Sequence, residues 1–177
     1  MPPVLGTVGT DDERSRSGEA GHAVSGTGRF SRAELEEAFA TYQAVAAEAG
    51  RSGDWNPWAD LFTEDAEYVE HLYGTMHGRE AIRAWIVETM GSYPGNAMPE
   101  FPVGWSVIDE EKGWVVCQVW NRMADPGDGS VHQAYNVTVL QYAGGGLWSS
   151  EEDIYNPTHF ATMIGAWERR KAELAGG

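Results

Sequence analysis

The chain has 177 residues, enough for one domain with a sizeable core, and 42 % of them are apolar, including 8 Trp. Its formal net charge of −15 at pH 7 argues against nucleic acid and against anionic membrane surfaces, since both need clustered Lys and Arg. Cys117 is the single cysteine, which excludes an internal disulfide, and no apolar run approaches the roughly 18 residues of a membrane span.

Residues 1–29 are rich in Gly, Ser and Thr, carry mixed charge and contain no aromatic. They read as a disordered leader ahead of a single domain over 30–177. No basic segment followed by an apolar stretch opens the chain, so a cytoplasmic protein is expected.

Order is expected from Phe30. Ser31, Arg32, Ala33 and Glu34 form a capping box, with Phe30 and Leu35 as its staple. Leu35, Ala38, Phe39, Tyr42, Val45, Ala46 and Ala49 then recur at helical spacing up to a stop at Gly50. Asn56-Pro57 opens a second short helix bearing Trp58, Leu61 and Phe62. Ala66–Tyr73 reads as a strand, and a third helix runs from about Arg79 to Met90. Gly91–Pro102 reads as a loop placed to cover a pocket mouth.

The second half predicts four strands, Phe101–Glu110, Trp114–Met123, Val131–Tyr142 and Leu147–Tyr155, separated by glycine-rich turns. Asn156-Pro157 opens a final helix with Phe160, Met163, Ile164 and Trp167, closed by Arg169, Arg170 and Lys171. Helices segregated from antiparallel strands predict an α+β fold.

One stretch carries a family resemblance. Trp58 to His71 (WADLFTEDAEYVEH), followed by Gly74 and by His77-Gly78-Arg79-Glu80-Ala81-Ile82, resembles the signature of SnoaL-like proteins of the nuclear transport factor 2-like superfamily. The late strand from Glu151 to Asn156 resembles their closing acidic and aromatic strand. The resemblance covers about residues 31–172. It implies a cone-shaped fold, in which a strongly curved, mostly antiparallel sheet wraps around three N-terminal helices, here with an extra C-terminal helix. It also implies an apolar pocket and a homodimer joined through the outer sheet face. For that face we expect Val115, Cys117, Val119, Val131, Tyr135, Val137 and Val139, since they are too apolar to leave in water. The superfamily holds isomerases, cyclases, dehydratases, epoxide hydrolases and binding domains, so function must come from the site.

The candidate site follows from strand alternation. Tyr68, Glu70 and Leu72 share one face of the first strand, and Glu70 stands where ketosteroid-isomerase-like relatives carry their catalytic Asp. Trp114, Val116, Gln118, Trp120 and Arg122 share a face of the next strand; epoxide-hydrolase-like relatives carry Arg and Asp at that strand end. Asn136 is expected to donate to a carbonyl or oxyanion, and Asp153 occupies the late acidic position of the family. The expected catalytic set is therefore Glu70, Asp153, Arg122 and Asn136. Tyr68, His71, Trp120, Tyr155, Trp58 and Trp85 are the expected substrate contacts. His71 belongs to the face opposite Glu70 and enters the pocket only if the strand phase slips by one. No His, Cys and carboxylate spacing resembles a metal set, and no glycine-rich loop leads from a strand into a helix to hold a phosphate. The expectation is cofactor-free acid–base chemistry on a small hydrophobic, ring-containing substrate such as a polyketide, steroid or terpenoid. The alternatives are a non-catalytic binding or interaction module, and an epoxide hydrolase.

Overall fold

The computed structural model describes residues 29–176. The expected leader therefore lies, apart from Arg29, outside the described residues. The elements in chain order are α1 (Arg32–Ser52), α2 (Asn56–Ala59), β1 (Phe62–Glu70), β2 (Gly74–His77), α3 (Arg79–Gly91), a 3₁₀ turn (Gly95–Ala97), β3 (Val103–Asp109), β4 (Trp114–Arg122), β5 (Gln133–Gly144), β6 (Leu147–Ile154) and α4 (Pro157–Ala175). Among the described residues the strands form one six-stranded sheet in the order β2-β1-β6-β5-β4-β3. Every neighbouring pair is antiparallel except β1 and β6, which run parallel. The fold is α+β, with the curved, unclosed sheet wrapped around its helices.

Ser31 caps α1 by accepting from the Glu34 amide at 3.2 Å. Among the described residues no reciprocal bond runs from the Ser31 amide to Glu34, whose Oε1 accepts from the Tyr142 hydroxyl at 3.2 Å. The helix also passes through Gly50 and ends at Gly53, whose φ of 80° supplies the left-handed cap. Its buried face is Leu35, Ala38, Phe39, Tyr42, Ala46 and Ala49. Together with Trp58, Phe62, Tyr68, Ile82, Leu140 and Trp148 this face forms the main core. A smaller core of Met123, Ala134, Met163 and Trp167 docks α4, anchored by the Trp167 indole N–H on the Ala124 carbonyl at 2.7 Å.

Three further expectations are corrected. The first strand begins earlier and ends at Glu70, and the residues after it turn back as β2 to make a hairpin. Helix α4 continues past Arg169, Arg170 and Lys171 to Ala175. The third correction bears on the site. Val115 and Cys117 are fully buried on the inner face of the sheet, not on an outer dimer face, and Val119 faces the cavity within. Residues directly opposite on antiparallel strands share a face. Val119 pairs with Asn136 and Cys117 with Thr138, so the buried set of β5 fixes the inner set of β4. Trp114, Val116, Gln118, Trp120 and Arg122 consequently belong to the outer face.

Candidate active site

The concave side of the sheet, α1, α2, α3 and the start of α4 enclose a cavity of about 470 Å³, within the usual range for small-molecule sites. Tyr42, Trp58 and Glu151 form its deep end, all nearly or fully buried. Leu72 and Tyr73, both more than half exposed, stand at its mouth with Phe160 and Ile164 of α4. The walls are mostly apolar and carry several aromatic rings. Trp58 meets Phe62 edge-on at 4.9 Å, Tyr68 lies 4.7 Å from Trp85, and Tyr155 lies 4.9 Å from Phe160.

Polar groups converge on one side of this cavity. In the parallel β1–β6 pair, Tyr68 stands opposite Glu151 and Glu70 opposite Asp153, so these four side chains share the inner face on strands about 4.8 Å apart. Asp153 Oδ2 accepts a short hydrogen bond from the Tyr68 hydroxyl. Its Oδ1 accepts from the Thr138 hydroxyl at 2.6 Å and from Asn136 Nδ2 at 2.5 Å. Asn136 also bonds Thr138 at 2.7 Å and accepts from Asn121 Nδ2 at 2.7 Å. Glu70 is 5 % exposed, and its Oε2 accepts from the backbone N–H groups of Leu72 and Tyr73 at 2.7 and 2.6 Å. That pair of bonds tightens the hairpin turn and fixes the carboxyl at the cavity wall.

Glu151 is 2 % exposed. Its Oε1 accepts from the Tyr42 hydroxyl at 2.8 Å, while its Oε2 has no partner among the described residues. Burial, and then the neighbouring Asp153, push the Glu151 carboxyl well above the usual carboxylate range. Burial also raises Asp153, and the donors Thr138, Tyr68 and Asn136 hold that rise back. Burial first, then Asp153 and Glu151, push the Tyr68 phenol well up, so it remains a neutral donor. Tyr155 is raised by burial and by Glu70 beside it.

Of the ten residues singled out from the sequence, seven line the cavity: Glu70, Asp153, Asn136, Tyr68, Tyr155, Trp58 and Trp85. Three lie elsewhere and are corrections. Arg122 extends from the outer face, where it donates to Gln133 at 2.9 Å and to Glu100 at 2.9 Å. Trp120 packs edge-on against Tyr135 at 5.3 Å on that same face. Both follow from the reversed phase of β4. His71 lies in the turn after β1, beyond the last inward residue of the strand, and pairs with Glu152 at 2.8 Å in solvent.

Four residues of the cavity's hydrogen-bond network were missed: Asn121, Thr138, Glu151 and Tyr42. Asn121 was lost with the β4 phase. Thr138 and Glu151 sit two positions from Asn136 and Asp153 on the same strand faces, a spacing visible in the sequence. Tyr42 reads as one more apolar position of α1. Among the described residues, no group of three or more His, Cys, Asp or Glu side chains is placed to share a metal ion, and no helix is long and apolar enough to cross a membrane.

A curved, unclosed sheet wrapped around helices is the nuclear transport factor 2-like fold. The chain belongs to the SnoaL-like domain family, which matches residues 31–150. No curated protein matches it. Its structural neighbours include a protein with a ketosteroid isomerase-like fold from Catenulispora acidiphila DSM 44928, solved with trimethylamine. That neighbour has 22 % identity and a TM-score of 0.56 over 70 % of this chain and 92 % of the other. The epoxide hydrolase/cyclase-like enzyme SalBIII, of pyran ring formation in the polyether salinomycin, has 18 % identity and a TM-score of 0.55 over 72 % and 94 %. A steroid delta-isomerase from Pseudomonas aeruginosa has 14 % identity and a TM-score of 0.55 over 85 % and 100 %. At these identities the likeness establishes the fold and leaves the reaction to the site.

Proposed function

We propose that the chain is a cofactor-free acid–base enzyme acting on a ring-containing apolar small molecule, of the isomerase, cyclase or dehydratase kind. The observation that carries this reading is Glu70 beside Asp153 on the wall of one cavity, with Glu151, a carboxyl that burial pushes well above its ordinary range, on the same strand face. Carboxyls held in unequal states by their surroundings are a common acid–base arrangement.

In this reading Glu70 takes a proton from a carbon next to a carbonyl, or from a water. Its orientation is fixed by the Leu72 and Tyr73 amides. The Tyr155 phenol beside it supplies a hydrogen bond to the oxygen on which charge develops. Trp85 lines the cavity and packs its ring 4.7 Å from that of Tyr68, a surface suited to a ring-containing substrate. Asp153 is held by three donors, and Glu151 keeps a proton in reserve behind the Tyr68 hydroxyl. Asn136 acts through Asp153, as a positioning residue.

Neighbours of this fold include a steroid isomerase and an enzyme of pyran ring formation, so the substrate class must be tested directly. Ring-containing ketones and epoxides are the first panel, screened for turnover by the unmodified chain, Glu70→Gln and Asp153→Asn. A loss of about 10²–10⁴-fold in kcat/KM is expected for Glu70→Gln. Full activity in that variant removes Glu70 as the base. With Arg122 outside the cavity, an acid–Arg–acid arrangement for epoxide opening loses its central member.

The reading includes a homodimer. Val107, Tyr135 and Ile154 are more than 40 % exposed on the outer sheet face, and Val137 and Val139 share that face. An apolar sheet face of this kind is suited to covering by a second copy. The single cysteine is compatible with a reducing compartment such as the cytoplasm.

A further inference from the structure

The cavity wall carries three carboxyl side chains, Glu70, Glu151 and Asp153, and no Lys, Arg or His. Asp153 accepts on both oxygens, three hydrogen bonds in all, as an ionised carboxylate does, and Glu70 accepts two from backbone N–H groups. Arginines close in sequence or across the sheet are engaged elsewhere. Arg79 donates to the Phe62 carbonyl, Arg83 pairs with Asp60 and Glu80, and Arg122 pairs with Glu100. The negative charge inside the cavity therefore has no counter-ion on its walls, and charge held away from water calls for a partner.

A second observation is independent of that charge, the aromatic lining itself. Aromatic faces attract cations through the ring quadrupole, most strongly where water is excluded. Trp85 and Tyr68, then Tyr155 and Phe160, supply two contacting pairs beside the carboxyls.

We propose that the cavity takes a ligand carrying a protonated amine on an apolar, ring-containing skeleton, with the ammonium seated against Glu70 and Asp153. A carboxylate or phosphate ligand meets only like charge there. A neutral alcohol leaves the two carboxylates without a counter-ion. The proposal rests on the cavity being the ligand site and names the class of molecule it admits; it does not depend on which residue moves a proton.

The test is calorimetric titration of the full chain at pH 7 with three molecules of similar skeleton: 2-phenylethylammonium, 2-phenylethanol and 3-phenylpropanoate. The ammonium is expected to bind at least about tenfold more tightly than the alcohol, and the carboxylate not to saturate. Glu70→Gln and Asp153→Asn are each expected to weaken the ammonium about tenfold while leaving the alcohol within about twofold. Thermal melts identify any variant that has lost its fold. Equal affinity for alcohol and ammonium, saturable binding of the carboxylate, or no ammonium binding up to about 10 mM overturns the proposal. So does a folded variant that loses ammonium and alcohol alike. Any of these leaves the acid–base reading standing, because that reading is judged by turnover.

Discussion

The Tyr68 hydroxyl donates to Asp153 Oδ2 across the parallel seam between β1 and β6. One bond thus joins the two strands that carry the cavity's carboxyls. Because the donor favours the ionised form, it opposes the upward push that burial gives Asp153. Tyr68→Phe is expected to move the Asp153 titration upward, followed by carbon-13 NMR of the labelled side-chain carboxyl. A downward move contradicts the assigned role of the phenol. The same variant leaves Asp153 short of a donor and is expected to lose about 1–3 kcal/mol in urea denaturation.

Glu151 gives the chain a pH dependence of known sign. Its folded acidity lies well above the ordinary value of 4.5, so above that pH the unfolded chain gives up a proton that the folded chain keeps. The contribution is fully present below about 4.5 and is lost as pH rises toward the folded value, with a slope of at most about 1.4 kcal/mol per pH unit for one proton. Glu151→Gln keeps the shape of the uncharged acid. It is expected to flatten the fall in stability between pH 5 and neutral, read from denaturation midpoints at several pH values. An unchanged slope contradicts an uncharged Glu151.

Gly95 sits where the segment after α3 folds back on that helix. A Cβ there would meet the Thr89 carbonyl oxygen at 2.2 Å and Met90 Cα at 3.0 Å. Since both neighbours are backbone, Gly95→Ala is expected to cost about 1–3 kcal/mol and to displace Thr89 and Met90, which line the cavity. Gly91 has open space around its Cβ position, so Gly91→Ala serves as the tolerated control. Thermal melts of the two variants separate the cases; equal melting temperatures contradict the close approach.

The outer sheet face predicts an oligomeric state. Light scattering behind size-exclusion chromatography is expected to give a dimer at micromolar concentration, and Tyr135→Glu a monomer with unchanged circular dichroism. A wild-type monomer removes the dimer from the account.

Much of the frame was legible from local chemistry. Ser31 and Asn156 are caps in the structure as in the sequence reading, and the glycine turns separate the strands close to their expected limits. The inner face of β1 was readable because Ala66, Tyr68 and Glu70 alternate with exposed Glu67 and half-buried Val69. The phase of β4 was not. Its apolar residues occupy both faces, so alternation has no contrast, and the polar end at Trp120-Asn121-Arg122 points either way. Only pairing with β5 decides it, and pairing is not a local property. Glu151 illustrates a second limit. In the run Glu151-Glu152-Asp153, the middle residue faces solvent with His71 while its neighbours are enclosed. The spacing of two puts Glu151 on the face of Asp153, but nothing local marks that face as the enclosed one; the pairing of β6 with β1 and β5 does.

The central claim is that Glu70 abstracts a proton inside this cavity. The most direct measurement is α-proton exchange of ring-containing ketones in deuterated water, followed by proton NMR with the unmodified chain and with Glu70→Gln. The account predicts exchange accelerated by the unmodified chain and slowed at least about 100-fold in the variant. Equal exchange rates with the two proteins would contradict it.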